Sequence, residues 1–462
     1  MMAALGLTLA ACSKDDDGLT PQPAEQQPTE QTTGRGIPFT ATISIGEGGM
    51  TRALADGGTT LTATWEEGEK VALIHNGVSD EMTVASVSGG KATITGDITG
   101  SPSDGDAVTI IYPATAAKGA TGEVKGNLLK TQEGTLAAVS EKYDVRMGSG
   151  TLTVTAGTAT LTDDVAMANQ YAVWKLTVPT ARNLCILADN EAIAGATLIG
   201  EQGTEFTVAV PAVSSKTITV VASDDDNNCY YYKNPKTISL AAGQYYRSSP
   251  AMTTVGTSST DDPQLVTGDH SGTWVPHFSA NKTFVFCGLI APQCAFISNN
   301  DFTIILMGTN SLNTSGETGV KGPMVVIGDK TLTITGTGSL TAKGGIDGPC
   351  FGTYKKDNTD YTCGDIIISG GILDLTGGKI KDGTGAAAIG TGNGGHCGNI
   401  TITDGVTRLT ATKIGSATHS IGTGTGGTCG TITIGGTVYW DGSSYQNGGD
   451  TYLTQSTLIY EP

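Results

Sequence analysis

Five aspartates, two histidines and six aromatic residues in the C-terminal half are the side chains that could do chemistry. Cleavage of a glycosidic bond needs two carboxyl groups about 5–9.5 Å apart across that bond. The candidates are Asp347, Asp365, Asp374, Asp382 and Asp404. Their spacing puts no clear pair on one face of adjacent repeats. Asp365 aligns with Asn399 and Thr431, which reads as variable turn chemistry. Asp374 aligns roughly with Arg408, so a cross-repeat ion pair is the simpler expectation. No enzyme activity is therefore expected. His396 and His419 flank glycine turns without carboxylate or cysteine partners at ligand spacing, and are expected as solvated loop residues. No Cys-x-x-Cys, no Cys/His zinc spacing and no GGxGxD calcium repeat occurs, so no metal or cofactor is expected. Binding by aromatic stacking is open to Trp274, Tyr354, Tyr361, Tyr439, Trp440 and Tyr445. Tyr439 and Trp440 in "TVYWDGSSYQNGG", and Trp274 in "SGTWVPHF", have a second reading. They would cap the ends of a repeat stack, where apolar rows and strand edges otherwise meet water.

The elements that position these residues are repeats. "CGDIIISGGILDLTGG" from Cys363, "CGNITITDGVTRLTAT" from Cys397 and "CGTITIGGTVYW" from Cys429 align at spacings of 34 and 32 residues. "KTLTITGTGSLTAKGG" from Lys330 fits the same template without the cysteine, and "DFTIILMGTNSLNT" from Asp301 fits more loosely. A second box, "GPMVVIG", "GPCFGT", "AAAIGT" or "HSIGTG", accompanies the copies. A four-stranded propeller blade needs about 40–45 residues, more than most of these copies offer. The length predicts a right-handed parallel β-helix over 273–462. Ile366, Ile400 and Ile432 would stack inside it, as would Ile368, Ile402 and Ile434, with Leu375 and Leu409 in a further inner row. Cys363, Cys397 and Cys429 would form a column, either bonded in part or as a ladder of free thiols.

The first half is also β in pattern. "IPFTATISI", residues 37–45, alternates without a break, so Ile37, Phe39, Ala41, Ile43 and Ile45 would share one buried face. Short strand-like runs bounded by Gly, Asp or Pro follow, and predict antiparallel sandwiches over 37–165 and 166–255. Trp65 and Trp174 lie in such runs and are expected in the cores. Residues 256–272 read as a linker. At the N-terminus an apolar run, Ala3 to Ala11, ends at Cys12 and predicts a signal peptide over 1–12. Residues 13–36 carry almost no large apolar side chain and read as a flexible tether.

Three resemblances sharpen this outline. "LAAC", Leu9 to Cys12, resembles the lipobox of bacterial lipoproteins, which implies a lipid on Cys12; "SKDDD" after it resembles the signal that sends Bacteroidetes lipoproteins to the outer face. The ordered runs "FTATI", "TRA", "TATWEEGEKVAL", "VWKLTV", "FTVAVPA" and "ISLAAGQYY" resemble the fimbrillins, the type V pilins of Bacteroidetes, over roughly residues 37–252. That likeness implies two transthyretin-like β-sandwiches and assembly by strand exchange. A protease cuts after an arginine, here Arg52, the first strand leaves, and a neighbour's strand fills the groove. Processing at Arg52 has a bland alternative, a solvated turn residue. Thirdly, the "GAAAIGTG" and "GGxxxLT" boxes resemble carbohydrate-binding-like β-helical domains attached to Bacteroidetes surface lipoproteins.

With a net charge of −18, nucleic acid is not an expected partner. The combined expectation is an all-β adhesin of fimbrial type, anchored in the outer membrane through Cys12. Its partners would be other pilin subunits by strand addition, and a surface glycan or host protein. The alternatives are a glycan-capture lipoprotein of a nutrient-uptake system and, further off, a β-helical lyase or glycosidase.

Overall fold

The alternation of Ile37–Ile45 becomes a nine-residue strand with Phe39, Ala41 and Ile43 buried. The computed structural model describes residues 36–45, 64–270, 277–278, 282–294, 296–313, 324–326, 328–346, 348–353, 355–356, 359–360, 362–378 and 385–462. Among these residues the chain is all-β, with helix limited to short turns such as Leu136–Ala138 and Gly449–Tyr452.

The first eight strands, from Ile37 to Asn169, belong to one sheet. The sandwich expected here is found as a single ladder that closes on itself. Ile37–Ile45 pairs antiparallel with Lys91–Ile98 and parallel with Thr158–Leu161 and Val165–Asn169. Closure leaves fewer free edges, which otherwise invite further strands. Phe39, Ile43, Trp65, Leu73, Met82, Ile94, Ile110 and Met167 fill the interior.

From Tyr171 to Thr254 two sheets face each other. One holds Glu191–Thr197, Asn183–Ala188, Val213–Ser223, Cys229–Leu240 and Thr253–Thr254, the other Gly203–Pro211, Tyr171–Ala181 and Tyr245–Ser248. Trp174, Leu176, Leu184, Ile186, Phe206, Val208, Ile218 and Val220 form the core between them. "NLCILA" has no polar alternation because its outer face is covered too. Cys185, Leu187, Val221 and Cys229 meet Val285, Cys287, Ile305 and Met307 of the next region.

That region is a stack of parallel ladders. One runs through Lys282–Ala291, Phe302–Met307, Leu332–Gly336, Ile366–Ile368, Ile400–Ile402 and Thr431–Ile434. A second joins Thr309–Asn313, Ser339–Lys343, Ile372–Thr376 and Arg408–Thr412. A third, on a separate sheet, includes Phe351–Thr353, Ile389–Thr391 and Ile421–Gly422. In-register residues sit one strand spacing apart, about 4.8 Å. The row Leu332, Ile366, Ile400, Ile432 and the row Ile334, Ile368, Ile402, Ile434 are buried throughout. Cys363, Cys397 and Cys429 are in register as a column, and all are thiols.

Two details of register depart from the sequence alignment. Leu409 pairs with Leu373, while Leu375 pairs with Ala411. Arg408 falls beside Ile372 rather than Asp374, and its ion pair is with Glu461, 3.2 Å away. The cause is turn length: residues 369–371 join the two strands in one rung, residues 403–407 in the next. Residues 256–272, expected as a linker, include the strand Gln264–Asp269, which pairs with Lys282–Ala291 and buries Leu265 and Val266.

Polar side chains stitch the corners. Asp365 Oδ1 accepts from the Asn399 backbone N–H (2.7 Å), and Asn399 Oδ1 accepts from that of Thr431 (2.9 Å). Asp301 does the same for Thr331 at 2.7 Å. What aligned as variable turn chemistry is thus one bonding device repeated up the stack. Gly390 explains the glycine boxes. Its φ is +116°, and a Cβ there would lie 2.0 Å from the Gly422 carbonyl oxygen.

Candidate functional site

Two places concentrate features beyond packing. The first is the closing strand of the first sheet. Its eight antiparallel pairs run from Ile37 with Ile98 to Ser44 with Lys91. On the other side the contact is shorter: Phe39 with Ala159, and Ile43 to Ile45 with Val165 to Met167. Neighbouring strands lie about 4.8 Å apart, so withdrawing this one leaves a slot of about 10 Å, wide enough for one replacement strand. The slot's floor is apolar, with Ala92, Ile94, Ala159, Val165 and Met167 in it. Lys91 on one wall and Asp164 beside the other form an exposed ion pair, 2.7 Å, that straddles the end of the strand. Exposed pairs of this kind contribute little to stability, so it guides register more than it clamps. Arg52, the expected cleavage position, and Cys12, the expected lipid attachment point, lie outside the described residues, as do Trp274, Tyr354, Tyr361, Asp347 and Asp382.

The second place is the C-terminal end of the stack. Thr431–Ile434 turns through Gly435 and Gly436, both with positive φ, into Thr437–Asp441. This returning strand is antiparallel and sets Trp440 opposite Ile432. Thr457–Tyr460 likewise pairs antiparallel with Arg408–Thr412. Both reversals end the parallel ladders, and Tyr439, Trp440, Tyr452 and Tyr460 pack over the ends of the aliphatic rows. Tyr439 and Tyr452 rings stand 4.6 Å apart, Trp440 and Tyr445 rings 5.0 Å apart and edge to face. The Trp440 indole N–H is buried without a hydrogen-bond partner, whereas Tyr445 is 38% exposed.

His419 belongs to this cluster and is not the solvated residue expected from its glycine neighbours. It is 2% exposed, and its ring faces both Trp440 and Tyr445. The Thr423 backbone N–H donates to Nδ1 (3.2 Å), so Nε2 carries the proton and donates to the Tyr445 hydroxyl (2.8 Å). Burial, with a smaller contribution from Lys413, pushes the imidazole down to about 4. It is therefore a neutral positioning group for Tyr445. His396 is half-buried, with Nδ1 2.6 Å from the Thr428 hydroxyl. Beside the cluster, Tyr460 donates to Asp404, and burial together with that carboxylate raises its phenol. Asp441 accepts from Ser444 and Ser443, which hold its carboxyl well below the usual range.

Tyr439, Trp440 and Tyr445 are thus brought together, and Asp365 and Asp404 are occupied by separate structural hydrogen bonds. Tyr452, Tyr460 and the buried role of His419 were not legible from the repeat pattern, because they follow or interrupt it. The density of aromatic residues after Cys429 was the available signal.

No family model matches the sequence. No curated protein matches it either. Among solved structures, the chain is similar to a fimbrial protein from Bacteroides ovatus, at 12% identity and a TM-score of 0.24, over 47% of this chain and 48% of that one. The chain therefore spans about half the length of that protein. It is also similar to a fimbrial assembly protein from Parabacteroides distasonis, at 11% identity and a TM-score of 0.25, over 47% of this chain and 98% of that one.

Proposed function

We propose that the chain is a non-enzymatic, surface-anchored adhesin of fimbrial type, held in the outer membrane by lipid on Cys12 behind a tether over 13–36. In this reading the regions 37–165 and 166–255 are transthyretin-like modules for assembly, and the stack is a right-handed parallel β-helix that meets a glycan or host protein. The observation that carries it is the closing strand. One continuous, alternately apolar segment completes an otherwise finished ladder. Main-chain hydrogen bonds on both sides would give a replacement strand its affinity, and the Phe39, Ala41 and Ile43 positions would fix its register.

The test has two parts. Chain recovered from its native cell surface is analysed by electron microscopy for filaments and by mass spectrometry for cleavage after Arg52. Chain beginning at residue 53 is then titrated with a fluorescent peptide of residues 37–45. Saturable binding that is lost on Phe39→Ala in the peptide supports exchange. An intact bond after Arg52 together with no peptide capture refutes it.

The half-exposed ring of Tyr445, with Tyr439 and Trp440 beside it, favours a glycan as ligand. A glycan-capture lipoprotein would use the same surface without filaments, so the microscopy separates the two readings. Loss of glycan-array binding on Tyr445→Ala would locate the contact.

A further inference from the structure

The second sandwich lies along the flank of the stack, and the layer between them is apolar. Leu187, Val221 and Val255 meet Val285, Ile305 and Met307 there. Cys229 and Cys287 come together in this layer, 0% and 1% exposed. Cys229 opens the strand Cys229–Leu240, and Cys287 lies within Lys282–Ala291, strands of different sheets. Their side chains therefore meet across a packed interface between two sheets. Both converge on Asn227: Cys229 Sγ lies 3.8 Å from its carbonyl oxygen, and Cys287 Sγ lies 3.6 Å from its Oδ1. Each thiol is the largest influence on the other's ionisation, Cys229 pushed up and Cys287 down. At Gly288 a Cβ would stand 2.5 Å from the Asn227 side chain, so that side chain closes directly over the strand carrying Cys287.

We propose that Cys229 and Cys287 form a disulfide that ties the second sandwich covalently to the first rungs of the stack. The column Cys363, Cys397 and Cys429 is a separate cluster, and a bond within it would join neighbouring rungs of the stack rather than the two regions. Cys350 is engaged elsewhere, its Sγ lying 3.2 Å from the Ala342 carbonyl oxygen and 3.0 Å from that of Thr376.

The reaction is thiol–disulfide exchange with an oxidised dithiol protein or glutathione disulfide. One of the two cysteines attacks as thiolate and forms a mixed disulfide, releasing one thiol of the oxidant. The second cysteine, also as thiolate, attacks its partner's sulfur in that mixed disulfide. The new S–S bond forms, and the remaining oxidant sulfur leaves as a thiol. Two thiols lose two electrons and two protons, and one disulfide of the oxidant takes them up. Because both sulfurs are buried once the layer is packed, exchange precedes docking. In the cell the bond rests on the proposed export, since cytosolic thiols stay reduced.

The test refolds the full chain in a mixture of oxidised and reduced glutathione. Free thiols are alkylated with iodoacetamide in denaturant, and the digest is mapped without reduction. The expected result is a linked Cys229–Cys287 peptide pair that disappears on reduction. In Cys229→Ser, Cys287 is recovered alkylated. Recovery of both residues alkylated from the wild type, or of either linked to another cysteine, overturns the proposal. A second readout guards against poor refolding. Reductant should lower the thermal midpoint of the linked wild type by several degrees and leave a Cys229→Ala, Cys287→Ala double variant unmoved; equal response in both overturns it. Chain from the native cell surface is mapped in the same way. A link formed in glutathione but absent there counts against the export reading and leaves the geometry standing.

Discussion

Replacing Phe39 by alanine should loosen the first sheet and leave the stack unchanged. Phe39 is 1% exposed and is among the largest fully buried side chains. Its in-register neighbours are Gly96 on one side and Ala159 on the other. Neither has a side chain long enough to fill the space. A Cβ at Gly96 would lie 2.6 Å from Met82 Sδ, so filling the space from that side requires the Met82 side chain to shift. Poor collapse puts the loss at about 3–5 kcal/mol, the range for burying and then deleting an aromatic ring. At about 0.59 kcal/mol for RT, this is roughly two to three and a half orders of magnitude in the opening equilibrium. Hydrogen exchange followed by mass spectrometry reads it directly. The slow amides of Lys91–Ile98 and of Val165, Ala166 and Met167, which pair with the first strand, should exchange faster by about that factor. Those of Ile400–Ile402 and Thr431–Ile434 should keep their wild-type rates. An acceleration under about tenfold in the first sheet, or an equal one in the stack, would show that the strand is not the element that closes the ladder.

Three further outcomes are expected. Gly390→Ala should prevent folding of the stack or destabilise it by more than about 4 kcal/mol, seen as loss of protease resistance over 385–434, since its Cβ would press on the Gly422 carbonyl. Asn310→Ala should cost about 2–3 kcal/mol in denaturant melts, because the buried side chain accepts from the Leu289 N–H and donates to the Met307 and Ser339 carbonyls. His419 sets a pH dependence: its folded pKa is depressed to about 4 from an ordinary 6.5, so the unfolded chain binds the extra proton first. Its contribution is complete above about pH 6.5 and is lost as pH falls toward about 4. Melts of His419→Gln should show a shallower decline than the wild type across that window.

The strands were largely legible and the joints were not. Ile37–Ile45 reads as a strand because alternation and a buried face are the same fact seen twice. The isoleucine rows were legible because a fixed repeat length stacks like on like. Register beyond the first strand of a rung was not, since two extra residues in the 403–407 turn shift Leu409 onto Leu373. Trp65 and Trp174 are in the cores, as their strand-like settings imply. His419 was misread because glycine neighbours signal a turn but not what packs over it. The unbroken apolar run "NLCILA" was the one sequence sign of the layer holding Cys185 and Cys229, and a run of that kind does not name its partner.

The sandwich flank also changes how the stack comes apart. Coils piled in one dimension touch only their neighbours, so they fray singly from an open end. Here Asn190 accepts from Ser369, Glu191 from Thr403, and Leu184 from Thr337, while Asn127 donates to Thr407. Contacts from the two regions that precede the stack thus reach several successive coils. A coil cannot peel away without breaking a bond to a neighbour that also grips the next, so melting becomes a shared, cooperative event.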